Sequence, residues 1–128
     1  MDKVSNIVIK IKTTGIDLTP AIEEYTRAKI NSLQKFFPHF SKESGELLFE
    51  VEIGKTTKHH LKGDVYRAEI NFNSDSTHMR SEATKDDLYA AIDEVKDEMS
   101  RELRRDKRKA IHLLRRSGGI LKNIFRRP

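Results

Sequence analysis

The chain has 128 residues, enough for one domain with its own hydrophobic core, and a formal net charge of +5. Charged residues make up 35% of it, yet its apolar residues recur at regular spacings, which indicates a folded domain and argues against a disordered chain. The sequence has no cysteine, which excludes disulfides and thiol catalysis, and its first twelve residues lack the long apolar run of a signal peptide or membrane span, so we expect a cytoplasmic protein.

The first two predicted elements are a strand and a helix. Apolar residues at positions 7, 9 and 11 alternate with their neighbours in the way typical of a half-buried strand. Thr19-Pro20 suits the N-cap and the first position of a helix. We expect this helix to end by Phe37 because Pro38 follows it. Its apolar stripe consists of Ile22, Thr26, Ile30, Leu33 and Phe37.

Three more strands are predicted over residues 47–53, 66–72 and 78–83, because apolar and polar residues alternate in each of them. A polar connection at residues 54–63 separates the first two, and a turn cluster at residues 73–76 separates the last two. These short connections favour an antiparallel arrangement of the three strands.

A long second helix completes the sequence. Thr84-Lys85-Asp86-Asp87 is typical of a capping box with Asp in place of Glu. The helix should reach about Lys109 and at most Arg116, and Ser117-Gly118-Gly119 is expected to end it. About 25 helical residues extend ~37 Å, so its end should project beyond the sheet. Its apolar stripe consists of Leu88, Ile92, Val95, Met99 and Leu103. Three aromatic residues are also assigned to the core: Tyr66, Phe72 and Tyr89.

The order β-α-β-β-β-α predicts an α+β fold. The first helix is a crossover connection, so the first two strands should be parallel by a right-handed connection. We therefore expect a four-stranded sheet with two helices on one face. The domain is expected to span residues 1–109, followed by a basic C-terminal tail, partly helical, at residues 110–128.

The positive charge is concentrated at the C-terminal end. Residues 99–128 hold 11 lysines and arginines against 2 acids, whereas residues 1–98 carry a net charge of −4. This asymmetry indicates a polyanionic partner such as RNA. The alternative is a solvated face with salt bridges to Glu98 and Glu102. On a helical wheel, arginines whose planar guanidinium groups can bind phosphate lie opposite the apolar stripe: Arg101, Arg104, Arg105 and Arg108.

Other basic residues extend the candidate RNA-binding set. Lys107 and Lys109 lie beside these arginines in the sequence. Six further lysines and arginines are ordinary surface residues when each is taken alone. They become part of the site only if the fold brings them to the same side as the arginines. They lie on the first helix, in the polar connection and near the second helix: Lys29, Lys35, Lys58, Lys62, Arg80 and Lys85.

The sequence offers no recognisable catalytic group. The adjacent His59 and His60 form a poor chelate because neighbouring residues of a strand point to opposite sides. There is neither a nucleophile motif nor a glycine-rich phosphate loop. We therefore expect no enzyme, no metal, no cofactor and no small-molecule substrate. We also expect no membrane partner, although apolar residues 120, 121, 124 and 125 at helical spacing leave a weak membrane-surface or partner helix open.

Five stretches of the sequence together resemble one known family. They are Leu18-Thr-Pro-Ala-Ile, His60-Leu-Lys-Gly-Asp-Val-Tyr-Arg-Ala-Glu-Ile, Arg80-Ser-Glu-Ala, Asp87-Leu-Tyr-Ala-Ala-Ile-Asp-Glu-Val and Arg101-Glu-Leu. Their combination resembles the ribosome hibernation factor family, also called ribosome-associated inhibitor A or the sigma-54 modulation/S30EA ribosomal protein family. The resemblance covers roughly residues 5–109.

The resemblance implies a fold similar to double-stranded RNA-binding domains and a role in translation. It implies binding to 16S rRNA in the decoding channel of the small ribosomal subunit. There the protein would sterically block mRNA and tRNA and inhibit translation in idle, stressed or stationary-phase cells. The family's rRNA contacts would fall on Lys29, Lys35, Lys85, Arg101, Arg105 and Lys109. Charge and the helical wheel add Arg104, Lys107 and Arg108.

The sequence departs from the family pattern in two places. The turn at residues 74–77 lacks the expected glycine. We also expect a short member without the second domain with which long members dimerise, and we leave 70S or dimerised ribosomes open as partners. The alternative function is an interaction module that regulates a non-ribosomal protein such as a transcription factor.

Overall fold

Four strands and two principal helices form the described part of the protein. The computed structural model describes residues 6–41, 46–56, 63–75 and 77–126, with side chains as far as residue 116. The predicted α+β order is confirmed, with two short helical segments added after the first helix. In chain order the elements are β1 (Ile7–Thr14), α1 (Pro20–Asn31), a 3₁₀ helix (Gln34–Phe36), α2 (Phe37–Phe40), β2 (Leu47–Thr56), β3 (Val65–Asn73), β4 (His78–Lys85) and α3 (Leu88–Arg126).

The sheet has the strand order β1-β2-β3-β4. As predicted, β1 is parallel to β2, and the other neighbouring strands are antiparallel. Phe49 of β2 is paired with Ile9 of β1 on one side and with Phe72 of β3 on the other. Because side chains alternate along each strand, one face of the sheet turns to the helices and the other stays open.

The hydrophobic core lies between the sheet and the helices. The rings of Phe49 and Phe72 have centroids 4.8 Å apart, and Phe40 packs edge-on against Phe72 at 5.2 Å. Ser81 is buried on the same face, where its hydroxyl donates a 3.1 Å hydrogen bond to the carbonyl oxygen of Val95 and is thereby satisfied. Four members of the stripe of α3 are fully buried, as predicted: Ile92, Val95, Met99 and Leu103.

The start of α1 is the one predicted from the sequence, whereas two short helical segments that were not predicted follow its end. The hydroxyl of Thr19 accepts a 3.2 Å hydrogen bond from the N–H of Ile22, and Pro20 lies in the first turn. α1 ends at Asn31, before the end of the predicted stripe. Pro38 lies in the first turn of α2, where its missing N–H costs nothing, so it begins a new helix. The last two stripe residues are buried outside α1: Leu33 and Phe37.

Both ends of α3 differ from the prediction. The capping box at Thr84-Lys85 is wrong, because these residues belong to β4. Asp87 caps the helix instead, and its carboxylate accepts a 2.9 Å hydrogen bond from the N–H of Ala90. Residues 117–119 do not end the helix, which continues to Arg126. Each of the two glycines in this stretch costs about 1 kcal/mol relative to alanine, which weakens a helix far less than a proline would.

The C-terminal part of α3 projects beyond the sheet. The helix has 39 residues and is therefore about 58 Å long. Leu103 is the last fully buried residue of its stripe in the part of α3 with described side chains. Residues 110–126, expected as a separate tail, continue the same helix. Within the described ranges, no helix is both long and apolar enough to cross a membrane.

Candidate nucleic-acid interface

Four arginines of α3 meet on the side of the helix away from the sheet. Together they line a shallow depression of about 270 Å³, and we call this surface the arginine ridge: Arg101, Arg104, Arg105 and Arg108. Their spacing in the sequence places them within two turns of one helix, so their guanidinium groups are close neighbours. Guanidinium groups clustered in this way suit the oxygen atoms of successive phosphates.

Two arginines of the ridge also form ion pairs within the helix. Arg101 donates to the carboxylate of Glu98 at 2.5 Å, and Arg105 donates to that of Glu102 at 2.8 Å. These contacts are the salt bridges that the alternative interpretation of a solvated face required. All four side chains are substantially exposed, and such pairs contribute only about 0.3–0.5 kcal/mol. Each guanidinium has five N–H donors, so an ion pair leaves donors for phosphate.

An aromatic ring links the ridge to the 3₁₀ helix. The guanidinium carbon of Arg104 lies 5.8 Å from the centroid of the Phe36 ring, and the Nζ of Lys35 lies 5.3 Å from the same centroid. Two cations therefore share one aromatic ring across two segments. Sequence reasoning missed Phe36, because its contact with Arg104 joins residues far apart in the chain and local sequence carries no signal for it. The structure thus brings Lys35 beside the ridge.

Lys29 is held by an acidic partner on α3. Its Nζ lies 3.0 Å from a carboxylate oxygen of Asp93, to which the Tyr25 hydroxyl also donates a 2.6 Å hydrogen bond. The hydrogen bond to Asp93 is the main cause that raises the pKa of both Lys29 and Tyr25. Burial raises the pKa of Asp93, but hydrogen bonds from Tyr25 and Lys29 outweigh burial, and that pKa is lowered. The charge of Lys29 is therefore partly neutralised.

Tyr89 lies on the surface and not in the core, so that assignment is wrong. Its side chain is 38% exposed, and it contacts the ring of Tyr25 edge-on with centroids 4.7 Å apart. The helical position directly after Leu88 turns it toward α1 and solvent. The other two aromatic assignments hold, because Phe72 is buried and Tyr66 packs partly buried against the core.

Arg80 lies on the open face of the sheet, opposite the helices. It donates to Glu69 at 2.8 Å and to Glu82 at 3.2 Å, and Arg67 contacts the same two carboxylates. Asn71 donates a 2.8 Å hydrogen bond to Glu69, and this bond is the main cause that lowers the pKa of Glu69. Burial alone would raise that pKa, whereas the hydrogen bonds from Arg80 and Arg67 lower it further. The structure therefore separates Arg80 from the arginine ridge.

The remaining predicted residues divide into three groups. Lys107 is half-buried and Lys109 is exposed, and both lie on α3 beside the ridge. Lys85 is the last residue of β4 and precedes α3, which places it on the order of 20 Å along the helix from Arg101. Lys58 and Lys62 lie outside the described residues.

In the described ranges, no three His, Asp or Glu side chains are grouped to hold a metal ion.

Comparison with known proteins identifies the family. The sequence pattern of the family described as sigma 54 modulation protein / S30EA ribosomal protein matches residues 9–111. The chain belongs to this family. The S30EA resemblance expected from the sequence is thereby confirmed.

Curated S30EA relatives share about a quarter of their aligned residues with this chain. The ribosome hibernation promotion factor of Picosynechococcus sp. is 28% identical over 99 residues, which cover 77% of this chain and 48% of the relative. The ribosome hibernation promoting factor of Klebsiella oxytoca is 26% identical over 103 residues, which cover 79% of this chain and 96% of the relative. The chain spans about half the length of the Picosynechococcus factor and of the Bacillus subtilis factor.

Solved structures agree with the S30EA fold. The N-terminal domain of Thermus thermophilus Protein Y has a TM-score of 0.61 at 27% identity, with 77% of this chain and 97% of that chain covered. A ribosomal subunit interface protein from Coxiella burnetii has a TM-score of 0.58 at 19% identity, which supports the fold alone.

Proposed function

We propose that this protein is a ribosome hibernation factor that binds the small ribosomal subunit through the arginine ridge. In this proposal the ridge contacts phosphates of 16S rRNA in the decoding channel. The bound domain then occupies the space of mRNA and tRNA and inhibits translation in idle or stressed cells. The mechanism is steric and requires no catalytic group.

One observation carries the proposal: four arginines line a single surface depression on the helix face opposite the core. A surface of this kind suits a polyanion, because each guanidinium can donate two parallel hydrogen bonds to a phosphate. Lys35 enlarges the same surface through the shared ring of Phe36. Membership of the S30EA family, whose curated relatives are named as ribosome hibernation factors, supports rRNA as that polyanion.

Sedimentation with ribosomes tests the proposal. The full chain should move with small subunits and with 70S ribosomes in a low-salt gradient and should leave them at high salt. Each phosphate contacted steepens the dependence of log affinity on log salt by about 0.7–0.9, so four arginines predict a slope near −3. Protein that stays at the top of the low-salt gradient would overturn the proposal.

Competition tests the location of the site. Small subunits loaded with mRNA and tRNA should bind the protein much more weakly than empty subunits, because the proposed site overlaps theirs. Equal binding to both would place the protein outside the channel. A nuclease-insensitive pull-down dominated by one non-ribosomal protein would instead favour an interaction module.

A further inference from the structure

The apolar stripe of α3 continues after the sheet has ended. Up to Leu103 the stripe is buried against the sheet, but three large apolar side chains farther along are exposed. Ile111 is 37% exposed, Leu113 is 54% exposed and Leu114 is 65% exposed. Exposed apolar side chains clustered on one element indicate a surface that binds a partner.

The sequence keeps this pattern to the end of the helix. At about 100° per residue, the apolar residues 111, 113, 114, 120, 121, 124 and 125 fall within one half of the helical circumference. The basic residues 115, 116, 122 and 126 fall in the other half. Residues 110–126 contain these four cations and no Asp or Glu. The backbone remains helical as far as Arg126, so a single helix carries this sequence pattern.

We propose that residues 110–126 bind the surface of a membrane that contains anionic lipids. A long apolar face beside a face rich in arginine and lysine is typical of helices that lie in the lipid–water interface. Anionic headgroups attract the four cations, and the acyl region accepts the apolar residues. The same segment of a second copy is a poorer partner, because it would bring more cations and no acid to pair with them. RNA is also a poorer partner, because it would leave the apolar half of the helix in water.

The fold also determines how the segment meets the bilayer. Leu113 and Leu114 lie on the same side of α3 as the stripe that packs on the sheet, because at about 100° per residue both fall within about 60° of Met99. A helix lying flat on the bilayer would force the sheet into the lipid. The segment therefore binds at a tilt, with its C-terminal end deeper than Leu113. The arginine ridge, on the opposite face, stays in water.

Flotation of the full chain with lipid vesicles tests the proposal. The protein should float with vesicles of phosphatidylcholine and phosphatidylglycerol and remain below vesicles of phosphatidylcholine alone. L113Q/L114Q should weaken vesicle binding at least about tenfold, because two apolar side chains are lost without a change of charge. L18Q removes an apolar side chain of 36% exposure elsewhere and should bind as the native chain does.

Tryptophan fluorescence tests the tilt. In separate variants, tryptophan at position 125 should shift to shorter wavelength on vesicle binding more than tryptophan at position 113. An equal or reversed order would overturn the tilted geometry.

Three results would overturn the proposal itself. The first is no flotation with anionic vesicles, and the second is unchanged flotation of L113Q/L114Q, which would assign binding to the cations alone. The third is a dimer in sedimentation velocity that L113Q/L114Q makes monomeric, since a second copy would then cover the leucines. None of these tests contains ribosomes, so their failure is independent of the proposed function.

Discussion

The hydroxyl of Tyr25 on α1 donates a 2.6 Å hydrogen bond to the carboxylate of Asp93 on α3. The two residues are 68 positions apart in the chain, so this contact joins the two principal helices directly. Lys29 reaches the same carboxylate from the next turn of α1. The cluster fixes the position of α1 beside the helix that bears the arginine ridge.

Replacing Asp93 should therefore loosen the contact between the helices. D93N should lower the free energy of unfolding by about 1 kcal/mol, because it removes the charge that Tyr25 and Lys29 share; solvent exposure of the carboxylate keeps the loss small. Urea denaturation at neutral pH measures it. D97N makes the same change one turn along, where Asp97 is exposed and forms an ion pair with the neighbouring Lys96, and should have little effect. Equal losses in the two variants would contradict this role of Asp93.

Reversing charge on the ridge should weaken ribosome binding. R101E/R105E should lower affinity for small subunits by on the order of tenfold or more and flatten its salt dependence, because two phosphate contacts become repulsions. Circular dichroism should remain native, since the side chains are exposed. K10E/K12E changes the net charge equally on the open face of the sheet and serves as the matched control. If both double variants lose the same affinity, net charge and not the ridge governs binding.

Acid should destabilise the protein partly through Glu69. Its folded pKa lies below the ordinary value of 4.5, with the Asn71 hydrogen bond as the main cause. Its stabilising contribution is therefore complete above the unfolded pKa and is lost as pH falls through the folded pKa. From about pH 6 to about pH 3, the native chain should lose more stability than E69Q. E50Q removes a carboxylate at an exposed position of the same face and serves as the control for the substitution itself. Parallel curves for E69Q and the native chain would contradict the prediction.

Gly15 should not tolerate a side chain. Its φ of +76° lies in the left-handed region, and an added Cβ would meet the carbonyl oxygen of Lys55 at 3.1 Å. We expect G15A to cost about 1–2 kcal/mol in thermal or urea denaturation. Gly54, on the neighbouring strand, has ordinary backbone geometry and room for a Cβ, with its nearest contact at 3.6 Å. G54A should cost clearly less, and the opposite order would refute the argument.

The strands and the buried part of α3 were predictable because burial repeats at the period of each element. Every second residue of β2 from Leu47 to Ile53 is buried, and so are the α3 positions spaced three and four apart from Ile92 to Leu103. This periodicity exists in the sequence itself. It therefore gave the order of elements, the sheet and the face of α3 that carries the ridge.

Contacts between distant residues were not predictable in the same way. Arg80 was grouped with the helices, but its place in β4 turns it to the open face, where two carboxylates bind it. The ring of Phe36 joins Lys35 to Arg104 only because α3 passes beside the 3₁₀ helix. Local sequence carries no signal for either contact. The end of α3 was misplaced because Ser117-Gly118-Gly119 resembles a stop signal, whereas a glycine costs a helix only about 1 kcal/mol.

The ion pairs on the open face of the sheet have a consequence for approach to a partner. The charges of the four strands on that face balance, with four cations against four carboxylates: Lys10, Lys12, Arg67, Arg80, Glu50, Glu52, Glu69 and Glu82. The excess positive charge lies at the far end of α3. The molecule is therefore an electric dipole, and the field of a polyanion exerts a torque on it before any atoms touch. Within a Debye length of about 10 Å, that torque turns the end of α3 forward, so a collision begins with the helix and not with the sheet.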